Sequence, residues 1–477
     1  MPKIVFLSAN CYKPTPYYCS KNMTFMHRQN RYLVALMAVL LLAACKEDEP
    51  APFTPDPLDE QLVQVLTDVS QGVGPDLFLL PAPEALGSIP QDPRNPLTPE
   101  KVALGKLLFH ETGLALTPKN PMGAGTYSCA SCHFASAGFQ AGRHQGIGEG
   151  GQGFGVNGEG RHRDANFSVI ELDVQPIRSP SALNSAFQIV TLWNGQFGAK
   201  GPNEGTEYAW VPGSKPEVNH LGFHGLESQA IEGLGIHRLV TDRETLENLG
   251  YKEMFDQAFP GLPQEERYSR ITAGLAIAAY ERTLMANEAP FQQWLRGEKQ
   301  ALSSLEKEGA ILFFGKGQCG SCHSGPALNS MEFYALGMND MFDCPEETFQ
   351  TPVDAPTDLG RGGFTGRPED VYKFKVPQLY NLKDSPFYGH GASFRSVRDV
   401  VVYKNNAQPE NPDVPASQLA EEFSPLGLSD PEIEAITAFL ENALHDPNLK
   451  RYEPESILSG LCFPNNDPQS RVDLGCE

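Results

Sequence analysis

The chain carries one five-residue pattern twice, Cys129-Ala-Ser-Cys132-His133 and Cys319-Gly-Ser-Cys322-His323. C-x-x-C-H is the attachment signature of c-type haem. Two thiols on one turn can add to the two vinyl groups of a porphyrin, and the adjacent histidine then reaches the iron from the same side. A redox C-x-x-C has no need of histidine in the next position twice. A zinc site wants four ligands, where each cluster supplies three that cannot all face one ion. The doubled pattern therefore predicts two covalently bound c-type haems, with His133 and His323 as iron ligands, and a fold that must wrap two large flat groups.

The N-terminus reads as an address. From Met26 the sequence runs from a basic flank with Arg28 and Arg31 through an apolar stretch, Tyr32 to Leu42, to small residues before Cys45. That is a secretory signal, and it is shorter than the roughly 20 apolar residues of a membrane span. Leu42-Ala43-Ala44-Cys45 resembles the bacterial lipoprotein box, which makes Cys45 the lipidated first residue of a periplasmic protein. Its only membrane contact would be that anchor. The stretch Lys46 to Asp59, rich in proline and acids, reads as an extended tether.

The whole chain has a net charge of −22. Removing residues 1–44 takes away Lys3, Lys13, Lys21, Arg28 and Arg31 and no acid. An acidic chain of this kind is not a nucleic-acid binder, and a protein that exchanges electrons with it should present a basic face. The same export argument makes a disulfide between Cys462 and Cys476 plausible chemistry, leaving Cys344 odd.

The 477 residues suggest more than one domain. The boundaries expected are 1–44 for the signal, 45–60 for the tether, 61–287 for an N-terminal haem domain and 288–477 for a C-terminal one. Helices are predicted after the cap Thr98-Pro99, over Tyr268 to Asn287, from the capping box Ser303 to Glu306 through Phe314, and after the capping box Ser429 to Glu432. No sustained alternation argues for a sheet, and Gly 45 with Pro 40 predicts long loops. The expected class is mainly α: two cytochrome c-like haem domains with long irregular loops. The glycine-rich run Gly142 to Gly160 reads either as a disordered surface insertion or as a mobile flap over the first haem, with His144 and His162 at its edges as candidate iron ligands.

With these motifs in place, the stretch from about Thr98 to Leu449 resembles the di-haem cytochrome c peroxidase family, including the branch that matures methylamine dehydrogenase. The resemblance is carried by Tyr280 to Leu284, Trp294 to Gly297, Ser324-Gly325-Pro326, Asp358 to Arg361, Lys375-Val376-Pro377 and Tyr388 to Phe394. In the first half it rests on the haem motif, Pro180 to Asn184, Leu192 to Gly195 and Leu226 to Ala230.

The family implies that the N-terminal haem binds hydrogen peroxide while the C-terminal haem takes electrons from a small cytochrome c or copper protein. By the same resemblance Trp193 is the aromatic residue between the haems and Gln229 lies near the peroxide pocket. A homodimer and a calcium ion between the domains belong to the same picture, although the calcium asparagine is Ser179 here.

The departures are specific. The family's peroxide-pocket glutamate is missing from Gly235-Ile236-His237-Arg238-Leu239, so His237 or Arg238 becomes the candidate for proton delivery and charge stabilisation. The distal methionine of the second domain is missing at Tyr388-Gly389, which leaves Met338, Met341 or Tyr388 as the sixth ligand. The resemblance favours a peroxidase. A di-haem oxidase or oxygenase acting on a protein or organic substrate is the enzymatic alternative, and an electron-transfer cytochrome without catalysis is the other.

Overall fold

Asp56 caps the first helix by accepting a hydrogen bond from Leu58 N, and Pro57 sets the first turn. This computed structural model describes residues 56–476. The signal, Cys45 and most of the tether lie outside the described residues. The tether ends sooner than expected, because Lys307 Nζ pairs with both Asp56 (2.9 Å) and Asp59 (2.8 Å) and ties the start of the helix down.

The helices that position the site are α1 (Pro57–Val69), α2 (Pro99–His110), α3 (Gly225–Ile236), α4 (Arg270–Glu281), α5 (Ser304–Phe314), α6 (Val397–Asn406), α7 (Asp430–Ala438) and α8 (Pro468–Leu474). Strand among the described residues is confined to two antiparallel pairs, β1 (Gly151–Gln152) with β2 (His162–Arg163) and β3 (Phe333–Tyr334) with β4 (Phe374–Lys375). The mainly helical expectation holds. So do the caps at Thr98, Ser303 and Ser429. The helix expected over Tyr268 to Asn287 is shorter: Thr283 Oγ1 donates back to Tyr280 O, and Leu284 O leaves the helix to accept from Asn184 N at 2.7 Å. No described helix is long and apolar enough to cross a membrane.

Two glycines set how closely the helices pack. A Cβ at Gly105 of α2 would lie 1.8 Å from Ala276 O of α4, and one at Gly309 of α5 would lie 1.9 Å from Ala435 O of α7. Each half thus crosses its two main helices backbone to backbone, and only glycine permits it. Around the second crossing Phe291, Phe313, Phe314 and Phe439 pack ring against ring. Each such ring buried is worth about 1.5–3 kcal/mol relative to exposure.

The repetition extends to the loops. The bridge Phe134↔Gln140 follows the first motif and Ser324↔Asn329 the second. Further on, Asn184 and Asn381 take the same left-handed turn, with φ of 56° and 57°. The bridge Thr191↔Phe197 then answers to Tyr388↔Phe394. Both ends of the described chain cross the boundary expected near residue 287. α1 packs on α5, and Trp294 Nε1 donates to Asp59 Oδ1 at 2.7 Å. The C-terminal tail returns to the first half, where Tyr280 Oη donates to Tyr452 O and Thr112 Oγ1 to Cys462 O.

The disulfide Cys462–Cys476 is present and closes a loop around α8. That tail overturns both readings of the glycine-rich run. Gly142 to Gly160 is neither a disordered insertion nor a flap, because most of it is buried and pinned. Arg161, 4% exposed, donates to Ile147 O, Gly148 O and Gly153 O and pairs with Asp467 at 3.2 Å. Asp473 Oδ2 accepts from Phe154 N and Gly155 N. The glycines serve close approach: a Cβ at Gly158 would lie 2.1 Å from the Phe134 ring.

Candidate active site

Each C-x-x-C-H motif folds as a tight turn, Cys129–Ser131 and Cys319–Ser321, followed by a reversal at Phe139 and Leu328, whose φ values are 54° and 49°. The reversals aim carbonyls at the histidines. His133 Nδ1 donates to Phe139 O (3.2 Å) and His323 Nδ1 to Leu328 O (3.0 Å). That orientation leaves each Nε2 as the lone-pair nitrogen, the tautomer a metal-binding imidazole needs. Burial lowers both histidines to about 4, so they are neutral at physiological pH. The thiols of Cys129, Cys132, Cys319 and Cys322 are free of disulfides, and burial pushes the first three up to about 12.

A single cavity of about 350 Å³ is lined by both His133 and His323. Trp193, Gln229, Cys319, Cys322, Met338 and Tyr388 line it too, so it brings eight of the candidate residues together. Trp193 is held by an indole N–H donated to Arg178 O at 2.8 Å and meets the His390 ring edge-on at 6.4 Å. Tyr388 Oη is turned to Leu382 O (3.0 Å).

The other candidates lie elsewhere. His144 Nε2 is bonded to Glu347 O at 2.8 Å, and His162 sits at the surface on β2 beside Gln152. Neither lines the cavity. Met341 is buried outside it. His237 and Arg238 form a separate cluster: His237 Nδ1 meets Asp173 Oδ2 at 2.7 Å, and Arg238 reaches Glu149 (2.9 Å) and Asp173 (3.3 Å). Burial works against a charged imidazole at His237, but the Asp173 carboxylate outweighs it and raises its pKa. Burial likewise opposes ionisation of Asp173, which His237 and Arg238 nevertheless hold below the usual carboxylate range.

Residues 99–300 match the family model described as di-haem cytochrome c peroxidase. Over that stretch the chain is similar to that family. It is a cytochrome-c peroxidase-like oxidoreductase. It is similar to the methylamine utilization protein MauG of Methylorubrum extorquens, 29% identical over 364 residues that cover 76% of this chain and 82% of that one. To the cytochrome-c peroxidase IdrP1 of Denitromonas iodatirespirans it is 27% identical over 396 residues, 79% and 89% of the two chains. To the cytochrome c551 peroxidase of Nitrosomonas europaea it is 28% identical over 386 residues, 80% and 90%. Its fold is shared by the crystal structure of a MauG-like protein associated with microbial copper homeostasis, at TM-score 0.55 and 22% identity over 78% of this chain and 95% of that one.

A di-haem peroxidase implies two c-type haems, and the residues present fit them. Besides the free thiols and the two oriented imidazoles, the cavity is lined by two buried cations that form no ion pair. Lys375, 6% exposed, donates only to Gln188 Oε1 at 2.6 Å. Arg178, 2% exposed, donates to Gln140 Oε1, Ser385 Oγ and backbone carbonyls. Neither meets a carboxylate among the described residues, whereas the equally buried Arg161, Arg282 and Lys307 each do. Burial lowers Lys375 to about 7 and Arg178 to about 9. Buried unpaired cations are costly, and the carboxylates carried by haem would give Lys375 and Arg178 the partners they lack. Sequence reasoning named Lys375 only as part of a matching stretch and missed Arg178, because nothing local distinguishes a paired cation from an unpaired one.

Proposed function

We propose that the chain reduces hydrogen peroxide to water with electrons from a small exported redox protein. The observation that carries this is the shared cavity: His133, His323 and Trp193 all line one space. Bound haem would supply the redox-active iron at both places. The polypeptide does the rest. His133 and His323 offer Nε2, held by Phe139 O and Leu328 O, and the four motif cysteines offer the covalent attachment.

Met338 is the proposed sixth ligand beside His323. Gly389 leaves it room, since a Cβ there would lie 3.2 Å from Met338 Sδ, and Tyr388 spends its hydroxyl on Leu382. Gln229 orients the oxidant as an amide donor. The two motif turns differ in their cover, which supports electron entry at the second. Ser128 and Ser131 both donate to Pro464 O of the tail, whereas Gln318 and Ser321 are exposed. Export, lipid anchoring at Cys45, a homodimer and an acidic surface that draws a basic donor complete the proposal.

Similarity to the methylamine utilization protein MauG favours the second reading, oxidation of a protein or organic substrate. Half-reduced protein mixed with peroxide and a reduced small cytochrome separates the two. Catalytic oxidation of the cytochrome, one peroxide per two electrons, is the result expected. A lasting spectral change without cytochrome oxidation would favour the second reading, and no reaction at all would leave only electron transfer.

A further inference from the structure

We propose that Glu281 is the carboxylic acid that moves the proton during peroxide cleavage, in place of the glutamate missing near Leu239. The inference rests on the peroxidase reading. Glu281 is the last residue of α4, 5% exposed, and it lines the same cavity as His133 and Gln229. Its Oε2 has no hydrogen-bond partner among the described residues. A buried carboxyl oxygen without a partner is rare in a folded chain and calls for an explanation, of which a catalytic role is one.

The neighbours explain why the group stays an acid. Arg282, the adjacent cation, is consumed by Glu227 of α3, with Nε to Oε1 at 3.0 Å and Nη2 to Oε2 at 2.7 Å. What reaches Glu281 is thus the low polarity of the site together with the residual negative charge of Glu227. Burial first, then Glu227, push its pKa up to about 8, with Arg282 opposing. A carboxyl of that kind is protonated at neutral pH and can both give and retrieve a proton.

The alternatives are less suited. Gln229 is an amide and does not titrate in water, and His237 lies outside the cavity with its Nδ1 occupied by Asp173. In the step proposed, the O–O bond of hydrogen peroxide breaks as a proton passes from the inner to the outer oxygen by way of the Glu281 carboxyl. The outer oxygen leaves as water. Two electrons from the reduced donor and two protons from solvent then convert the inner oxygen to a second water, while the carboxyl, having relayed its proton, is already an acid again.

Glu281→Gln and Glu281→Asp variants test this in the holoprotein, with both haems verified by mass. Wild-type peroxide consumption should fall as pH rises through about 8. Glu281→Gln should lower the rate on the order of 10²–10⁴-fold and abolish that alkaline limb, while Glu281→Asp should keep part of the rate. Infrared difference spectra offer a readout independent of turnover and of how the variants fold. The wild type at neutral pH should show a protonated-carboxyl band perturbed by peroxide, and its absence would overturn the proposal. So would a Glu281→Gln enzyme with an unchanged rate and pH limb. A wild type that consumes no peroxide would instead remove the peroxidase reading itself, and this inference with it.

Discussion

Trp193 and His390 stand at equivalent places in the two halves of the chain, inside the bridges Thr191↔Phe197 and Tyr388↔Phe394, and their rings meet edge-on at 6.4 Å. His390 is itself stacked on Phe374 at 3.6 Å and bonded through Nε2 to Asp340 at 2.9 Å. The internal repeat therefore converges on one aromatic contact in the wall of the shared cavity. Trp193→Ala should leave haem content unchanged and slow peroxide-driven cytochrome oxidation by about tenfold or more, a barrier increase of ~1.4 kcal/mol. Trp193→Phe, which keeps a ring, should lose less. Equal rates in all three proteins would remove the relay role.

Met338→Ala should turn the second site from low-spin to high-spin, read by electron paramagnetic resonance of the oxidised protein, whereas Tyr388→Phe should leave that signal alone. The prediction follows from the placement of the Met338 sulfur over Gly389 and of the Tyr388 hydroxyl on Leu382 O. The reverse pattern would assign the ligand to Tyr388.

Gly105→Ala and Gly309→Ala should each lower the thermal midpoint. Their new methyl groups would meet the Ala276 and Ala435 carbonyls at 1.8 and 1.9 Å, so the helices must separate. Overpacking of this kind costs about 1–3 kcal/mol. Calorimetry showing no loss for either variant would mean that the helix pairs can slide apart without penalty.

Reduction of the tail disulfide, or a Cys462→Ser, Cys476→Ser double variant, should destabilise the protein by about 2–4 kcal/mol. The loss should also be local. Ser128 and Ser131 both donate to Pro464 O, so hydrogen exchange should rise around the first motif and not around the second. Uniform exchange across both motifs would contradict the idea that the tail covers only one of them.

The His237–Asp173 pair predicts a stability that depends on pH from both sides. His237 is raised by Asp173 against its burial, so its contribution is full below the ordinary imidazole pKa and is lost as pH rises through the raised folded value. Asp173 is lowered, so its contribution is present above the ordinary carboxylate pKa and is lost as pH falls through the folded value. Arg238, Glu149, Lys215, Tyr127, Lys119 and His133 are other charged or titratable groups around the pair. His237→Ala should flatten the alkaline side of the denaturation profile and leave peroxide turnover within a fewfold. A large loss of turnover would assign proton delivery to His237 instead.

Reading the chain residue by residue succeeds where the physics is local. C-x-x-C-H spaces thiols and imidazole within one turn, and Thr98, Ser303 and Ser429 cap helices through hydrogen bonds to residues three positions on. The pairing of Cys462 with Cys476 spans only the short tail. The glycine-rich run misleads because glycine has two opposite uses. Conformational freedom is the one that composition displays, and close approach, as of Gly158 to Phe134, is the one used here.

By itself, then, the sequence determined the covalent chemistry of this protein, the number of haem sites and the helical class, since each is encoded within a few neighbouring residues. Only the tertiary structure decided which groups share the cavity and what charge they carry there. Arg178, Glu281 and Lys375 come together from distant stretches, and their protonation depends on how much water and which partners the fold leaves them. Desolvation is a property of the packed chain, with no counterpart in the order of its residues.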